Sequence, residues 1–437
     1  MRSAFRSLAA ASAALLAAAL VHGATRPRYG GTLRIEISAS VTTLDPAAEV
    51  SGSAEAEARA RFDAMLFDRL TTLDSAGNAI ARLATSWSHD PDSRKWQFSI
   101  REGVRLEDGT LLSAQDAAQS LTAANRDWRV NASDNTLVIE MNSPHPDLPA
   151  ELALARNSIL HRGTDGALAG TGPFRLSEWN SGHHATLTAN DEYWDGRPYV
   201  DTVEVAMGRA YRDQLIDLEL GRADVVQLAI DELRRAAQEN LRTVASSPVE
   251  LMAILFSPGK PSTDDARLRQ ALALSIDRTA IRDVLLQKQG EPAGGLLPGW
   301  LSGYEFLFPA QQDPAAAKKL RAQLPASASL TLGYDADDSL ARAVVERVAL
   351  NARDIGLTVR PASYNSDSAK NVDARVVIEP PITANFREAL AGTAEWLHEP
   401  VAQLRAKSAT TSEAYEIERA LLADARVIPL FHLPVFV

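Results

Sequence analysis

Residues 170 to 205, GTGPFRLSEWNSGHHATLTANDEYWDGRPYVDTVEV, leave few options besides an antiparallel hairpin. Gly170 and Gly172 flank Thr171 and precede Pro173, a combination that fixes a tight turn because glycine reaches backbone angles closed to other residues and proline locks its own. Phe174, Leu176 and Trp179 then open a strand. Asn180-Ser181-Gly182 reverses the chain, and the second strand brings Leu187 back beside the first, with Tyr193 and Trp194 capping the end.

Strand-like and helix-like segments alternate along the rest of the chain, which predicts an α/β architecture. Residues 54 to 70 form an amphipathic helix with Phe62, Met65, Leu66 and Leu70 on one face. Trp96, Phe98 and Ile100 alternate with polar neighbours as a half-buried strand. Ser113 with Asp116 reads as a capping box for a helix ending near Asn125, and Thr136 to Met141 is a further strand. Residues 264 to 289 are helical, with Asp277 placed to start a second helix. At 437 residues and 46% hydrophobic content, the chain has the length for two or three globular domains.

The N-terminus carries Arg2 and Arg6, an Ala/Leu run from Leu8 to Val21, and small residues spaced for cleavage after Gly23. That is the layout of a secretory signal peptide over residues 1–23. The run falls short of the roughly 20 apolar residues that span a bilayer, and no later stretch reaches that length. Without Arg2 and Arg6 the chain holds 43 basic against 56 acidic residues, which argues against nucleic acid as a partner. There is no cysteine, so disulfides, thiolate metal ligands and a cysteine nucleophile are all removed.

Several stretches, in order, resemble the bacterial extracellular solute-binding proteins of the oligopeptide, dipeptide and nickel class (family 5), which deliver ligands to ABC importers. GTGPF and EYWDGRPYVD are similar to the family's central signature. Gly30-Gly31-Thr32-Leu33-Arg34-Ile35 with Thr43-Leu44-Asp45-Pro46 resembles its first strand and loop. Leu83-Ala84-Thr85-Ser86-Trp87, then Trp96 to Val104 and Asp108-Gly109, resembles its N-terminal pattern; Leu220 to Asp224 and Arg269 to Arg278 also fit.

The resemblance implies a two-lobed α/β fold of the periplasmic binding protein type (type II, cluster C-like) with an inserted subdomain. Lobe one is expected at 30–250, with the insertion at about 47–168, and lobe two at 260–425. Pro248 to Pro261 is the first crossing between lobes, and 426–437 is the return. Two departures stand out. The chain between Leu121 and Thr136 is shorter than in most relatives, and at Val437 the family's C-terminal extension is missing, with strands of the first lobe expected to go with it. The lipid-bearing cysteine of many relatives is absent too, which implies a freely soluble periplasmic protein, and a monomer is expected.

No enzyme motif is present. His398-Glu399 lacks the second histidine of a zinc-protease helix and runs into Pro400, and there is no GxSxG elbow, phosphate-cradling loop or serine-lysine pair. Asp335, Asp337 and Asp338 lack the later Gly and Glu of a calcium loop and read as a solvated loop. His183 and His184, as strand neighbours, point to opposite faces. No catalytic residue, cofactor or metal is expected.

Candidate ligand contacts follow from the resemblance. Arg156, within Glu151-Leu152-Ala153-Leu154-Ala155-Arg156, matches an arginine that grips a ligand carboxylate in nickel-class proteins; the alternative is an ion pair within the protein. Where peptide-binding relatives place an aspartate for the ligand's amine, this chain reads Asp373 to Pro381 followed by Asn385 and Phe386. Glu379 offers the substitute anion there, or is an ordinary strand-end carboxylate. Ser40, Val41 and Thr42 follow the first strand at the edge where open α/β sheets present ligands, and their backbone is suited to pair with an extended peptide. Tyr304 is placed either on the opposite wall or in a packed loop. The expected function is capture of a small ligand, a peptide in the first instance, for ABC permease subunits. A metal chelate, or a sensor or chaperone role on the same fold, is the alternative.

Overall fold

The computed structural model describes residues 29–50, 52–163, 166–365, 371–379, 383–398 and 410–437. The expected signal peptide and Glu399-Pro400 lie outside them.

Two large sheets organise the chain. The first has five strands in the order Phe174–Asn180, His184–Ala189, Thr202–Ala206, Thr32–Glu36 and Val225–Val226. Thr32–Glu36 runs parallel to both its neighbours, and the hairpin adds the antiparallel edge. The turn falls where glycine and serine call for it, with Asn180 opposite His184 and Leu176 opposite Leu187. The second sheet has six strands in the order Glu291–Pro292, Val427–Leu433, Glu250–Phe256, Ala374–Glu379, Ser329–Asp335 and Thr358–Tyr364. Its central strands are covered on both faces, which is why ELMAILF reads as a continuous apolar run rather than an alternation.

A four-stranded antiparallel sheet forms from Ala84–His89, Lys95–Ile100, Thr136–Glu140 and Arg129–Ser133. Trp96, Phe98, Leu137 and Ile139 bury one face of it against Leu121 of the helix Ala114–Ala124. The expected capping box starts that helix, with Ser113 and Asp116 exchanging hydrogen bonds and Asn125 ending it. The helical stretch expected at 264 to 289 is two helices, Ala266–Ser275 and Arg278–Val284, capped by Asp265 and by Asp277, where the second helix was expected to start. Asp277 breaks the run because its carboxylate accepts from the Ala280 N–H, which requires a non-helical backbone at the cap.

The signature of residues 170–201 has a packing explanation. The end of the helix Ser53–Leu66 lies so close that a Cβ on Gly170 would sit 1.9 Å from the Leu66 carbonyl oxygen, and one on Gly172 2.4 Å from the Leu66 carbonyl carbon. Just beyond, the buried Asp68 carboxylate accepts from Thr171 Oγ1 at 3.0 Å, Tyr193 Oη at 3.1 Å, Trp194 Nε1 at 2.8 Å and Arg82 Nε at 3.1 Å. One carboxylate therefore ties the glycine turn to the aromatic pair that closes the hairpin.

Two segments join the large sheets side by side. Glu250–Phe256 enters the second sheet, and Val427–Leu433 runs antiparallel beside it and leaves. The register slips between Met252 and Ala253, and the Pro429 carbonyl at the slip accepts from Arg278 Nε at 3.0 Å and Nη2 at 2.8 Å. The tail then pairs with the first lobe's edge, the Leu228 N–H donating to Phe436 O at 3.0 Å and the Ser246 N–H to Val435 O at 2.9 Å. Among the described residues no helix is long and apolar enough to cross a membrane.

Candidate functional site

Between the large sheets lies a cavity of about 910 Å³. Its walls come from both lobes and from the segments that join them. The first lobe supplies Ser38 and Ala39 after the strand Thr32–Glu36, together with Tyr211 and the stretch from Gln227 to Asp231. Ser38 is held in place by the Gln227 side chain, whose Oε1 accepts from its N–H at 2.7 Å and its hydroxyl at 2.9 Å. The second lobe supplies Asp335, Asp337 and Asp338, with Arg375 and Glu379 from the strand Ala374–Glu379. Glu250 opens the first joining strand and faces the same space.

Desolvation shapes the electrostatics. Glu379 is pushed up to about 7 by desolvation alone. Glu250 is also pushed up to about 7, first by desolvation and then by the neighbouring Glu57, with Arg61 opposing. Desolvation likewise raises Asp338, although backbone N–H groups of Ala341 and Leu340 bond its carboxylate. A carboxylate with no partner in such a space favours either a proton or an incoming cation.

A second contact closes the molecule at another edge. The helix Phe386–Trp396 of lobe two carries Arg387, which pairs with Asp147 of the subdomain, and Asn385 Nδ2 donates to the Gly77 carbonyl at 3.0 Å. Beside them His145 Nε2 lies 3.3 Å from Glu151 Oε2 and 3.4 Å from Glu388 Oε1, all three buried.

The expected site residues separate into four places. Glu379 lines the cavity. Arg156 lies at the seam, donating to Glu151 Oε1 at 2.7 Å and feeling Glu388 and Glu395 of lobe two. Asn385 is also at the seam, as the N-cap of its helix, accepting from the N–H groups of Arg387 and Glu388 at 3.1 Å. Ser40, Val41 and Thr42 stand just behind the cavity wall, since the loop presents Ser38 and Ala39 instead. Val41 is fully buried in the first lobe's core, and Thr42 gives its N–H and hydroxyl to Glu55 at 2.7 and 2.6 Å. Tyr304 is buried edge-on against Tyr415 and beside Glu418, inside the second lobe.

Several cavity residues carried no clear signal in the sequence. Tyr211 and Glu250 sit in ordinary helical and strand patterns. The Asp335 to Asp338 loop, read as solvated, lies at the C-terminal end of Ser329–Asp335, and that position is the one cue that would have placed it at a ligand site.

Two α/β lobes, joined by paired strands around a central cavity, define a periplasmic binding protein architecture of type II. The chain belongs to the bacterial extracellular solute-binding proteins, family 5, whose middle-region model matches residues 78–386. Among curated proteins it is 25% identical to a nickel-binding periplasmic protein of Escherichia coli, covering 68% of this chain and 65% of that one. It is 26% identical to a probable D,D-dipeptide-binding periplasmic protein of the same organism, over 51% of this chain and 48% of the relative. The chain thus spans two thirds or less of these relatives' length. Among solved structures, an ABC transporter substrate-binding protein from Listeria monocytogenes superposes with a TM-score of 0.77 over 94% of each chain at 16% identity, which shows the shared fold. The family is one of binding proteins rather than enzymes.

Proposed function

We propose that this protein captures a small ligand, a peptide in the first instance, by closing its two lobes on the cavity, and presents the closed form to ABC permease subunits. One observation carries the reading: Ser38 from lobe one and Glu379 from lobe two face the same cavity, so a ligand that touches both stabilises the closed arrangement. Glu379 and Glu250 receive the ligand's amino group, and the backbone at Ser38 and Ala39 receives its extended main chain. We place the lobes at about 30–250 and 260–425, with 426–437 as the return: Val427–Leu433 still lies in the second sheet, and Val435 to Val437 pair with lobe one. Residues 1–23 direct export to the periplasm, and the protein works there as a monomer without chemistry of its own. Arg156 acts at the seam, where it pairs with Glu151, so the geometry favours a peptide amine over the carboxylates of a metal chelate.

Native mass spectrometry of protein purified without denaturation tests this. The expected result is a bound species of peptide mass that is released intact on unfolding. Calorimetry should then show one site per chain with the stripped protein. Bare protein that fails to bind any member of a peptide library would contradict the reading, and peptide cleavage on incubation would contradict the absence of chemistry.

A further inference from the structure

The cavity is charged far beyond what one ligand amine requires. Glu57 and Glu250 form one acidic group on its wall, and Asp231, Asp335 and Asp338 form another, with Asp337 and Glu379 in addition. Only Arg61 and Arg375 oppose these seven among the described lining residues, and Arg61 is already paired with Glu57. The flanking segments outside the described residues, 366–370, 380–382 and 399–409, contain Asp367, Lys370, Glu399, Arg405 and Lys407. Those three bases do not outweigh an excess of five acids, wherever they lie.

Tyr211 links the two groups. Desolvation raises its hydroxyl, a hydrogen bond with the Ser38 side chain opposes this, and Glu250, Asp338 and Glu57 each push it up, so the ring stands within the field of both clusters. Its aromatic face is suited to the methylenes or the cationic head of a flexible side chain. Asp231, Asp335 and Asp337 are exposed, whereas Glu57, Glu250, Asp338 and Glu379 are half-buried, and like charges collected there are costly unless protons or cations neutralise them. A neutral ligand would leave that cost in place, and an anionic one would add to it.

We propose that the ligand is an organic polycation, carrying two or more ammonium or guanidinium groups on a flexible chain, one read near Glu250 and another near Asp338 across Tyr211. This rests on the cavity being the ligand site. A lysine- or arginine-rich peptide and a linear polyamine share the chemistry, and the carboxylate and backbone of a peptide distinguish them.

The test is calorimetry at pH 7.5 on the mature full chain with four probes: Lys-Ala-Lys, tri-alanine, Glu-Ala-Glu and spermidine. Lys-Ala-Lys or spermidine should bind at least about tenfold more tightly than tri-alanine, and Glu-Ala-Glu should be weakest. The gap should shrink in 0.5 M salt and in the Glu250→Gln/Glu379→Gln variant, with circular dichroism confirming that the variant is folded. Tighter binding by spermidine assigns the polycation to a polyamine and upholds the charge rule. Tri-alanine or Glu-Ala-Glu binding as well as Lys-Ala-Lys overturns the charge rule and leaves the capture reading standing. If no probe binds and a broad peptide library also fails, the capture reading itself falls.

Discussion

Glu250 and Glu379 are held where ionisation is costly, and the cost has a sign that can be checked. Each has its carboxyl pushed from 4.5 to about 7 in the folded protein, so the native state holds those protons more tightly than the unfolded chain. Stability from these groups is therefore present below about pH 4.5 and is lost as pH rises through 7. Ligand affinity runs the other way, because a cation is attracted only to the ionised forms, with Glu57 and Arg61 the charged neighbours that modulate Glu250. Affinity for Lys-Ala-Lys should fall as pH drops from 8 to 6, while the melting temperature of the free protein rises over the same range. Asp63 and Glu418, also raised by burial, add to the stability slope without touching the cavity. The Glu250→Gln/Glu379→Gln variant separates the two effects: it should melt a few degrees higher at pH 7.5 than the parent and bind more weakly. A variant that binds equally well would place the ligand's charge elsewhere.

At the scale of elements, close approach and strand anchoring make the sharpest demands. Gly172→Ala sets a methyl group against the backbone of Leu66, and a displacement of that kind costs about 1–3 kcal/mol or more. Urea denaturation should show the loss, with the hairpin and the helix Ser53–Leu66 failing together. Arg278→Ala leaves the Pro429 carbonyl without its two buried donors, an expected loss of about 1–3 kcal/mol by the same measurement, and Arg278→Lys should recover only part of it. Much at this scale was legible beforehand. The hairpin, the Ser113 capping box and the strand at Trp96 follow from local pattern, because turn chemistry and alternation act within a few residues. The break at Asp277 was half visible, as a cap inside an otherwise helical run. The candidate site was less so. Glu379 was reached through the resemblance to peptide-binding relatives, whereas Ser38 in place of Ser40 depends on Gln227, 189 residues away, taking the loop's donors. Tyr211 and Asp338 share the cavity only because the lobes fold toward one another, which no window of sequence contains.

For the whole molecule, the seam between the subdomain and the helix Phe386–Trp396 sets how readily the lobes shut. Arg387→Ala removes the pair with Asp147 and should weaken every ligand by a similar factor, roughly two- to tenfold, since it acts on the closed population and not on the cavity. A loss confined to one ligand would instead make Arg387 a direct contact. Closure itself is accessible through the absence of cysteine, which lets two labels be introduced without removing any native thiol. Ser133→Cys on the subdomain and Lys319→Cys on lobe two are both exposed. Single-molecule energy transfer between dyes at these positions is the most direct measurement. The account expects two populations in ligand-free protein, with added Lys-Ala-Lys shifting the distribution toward the shorter distance. A single distance, unchanged by that peptide, by spermidine and by a full peptide library, would contradict it.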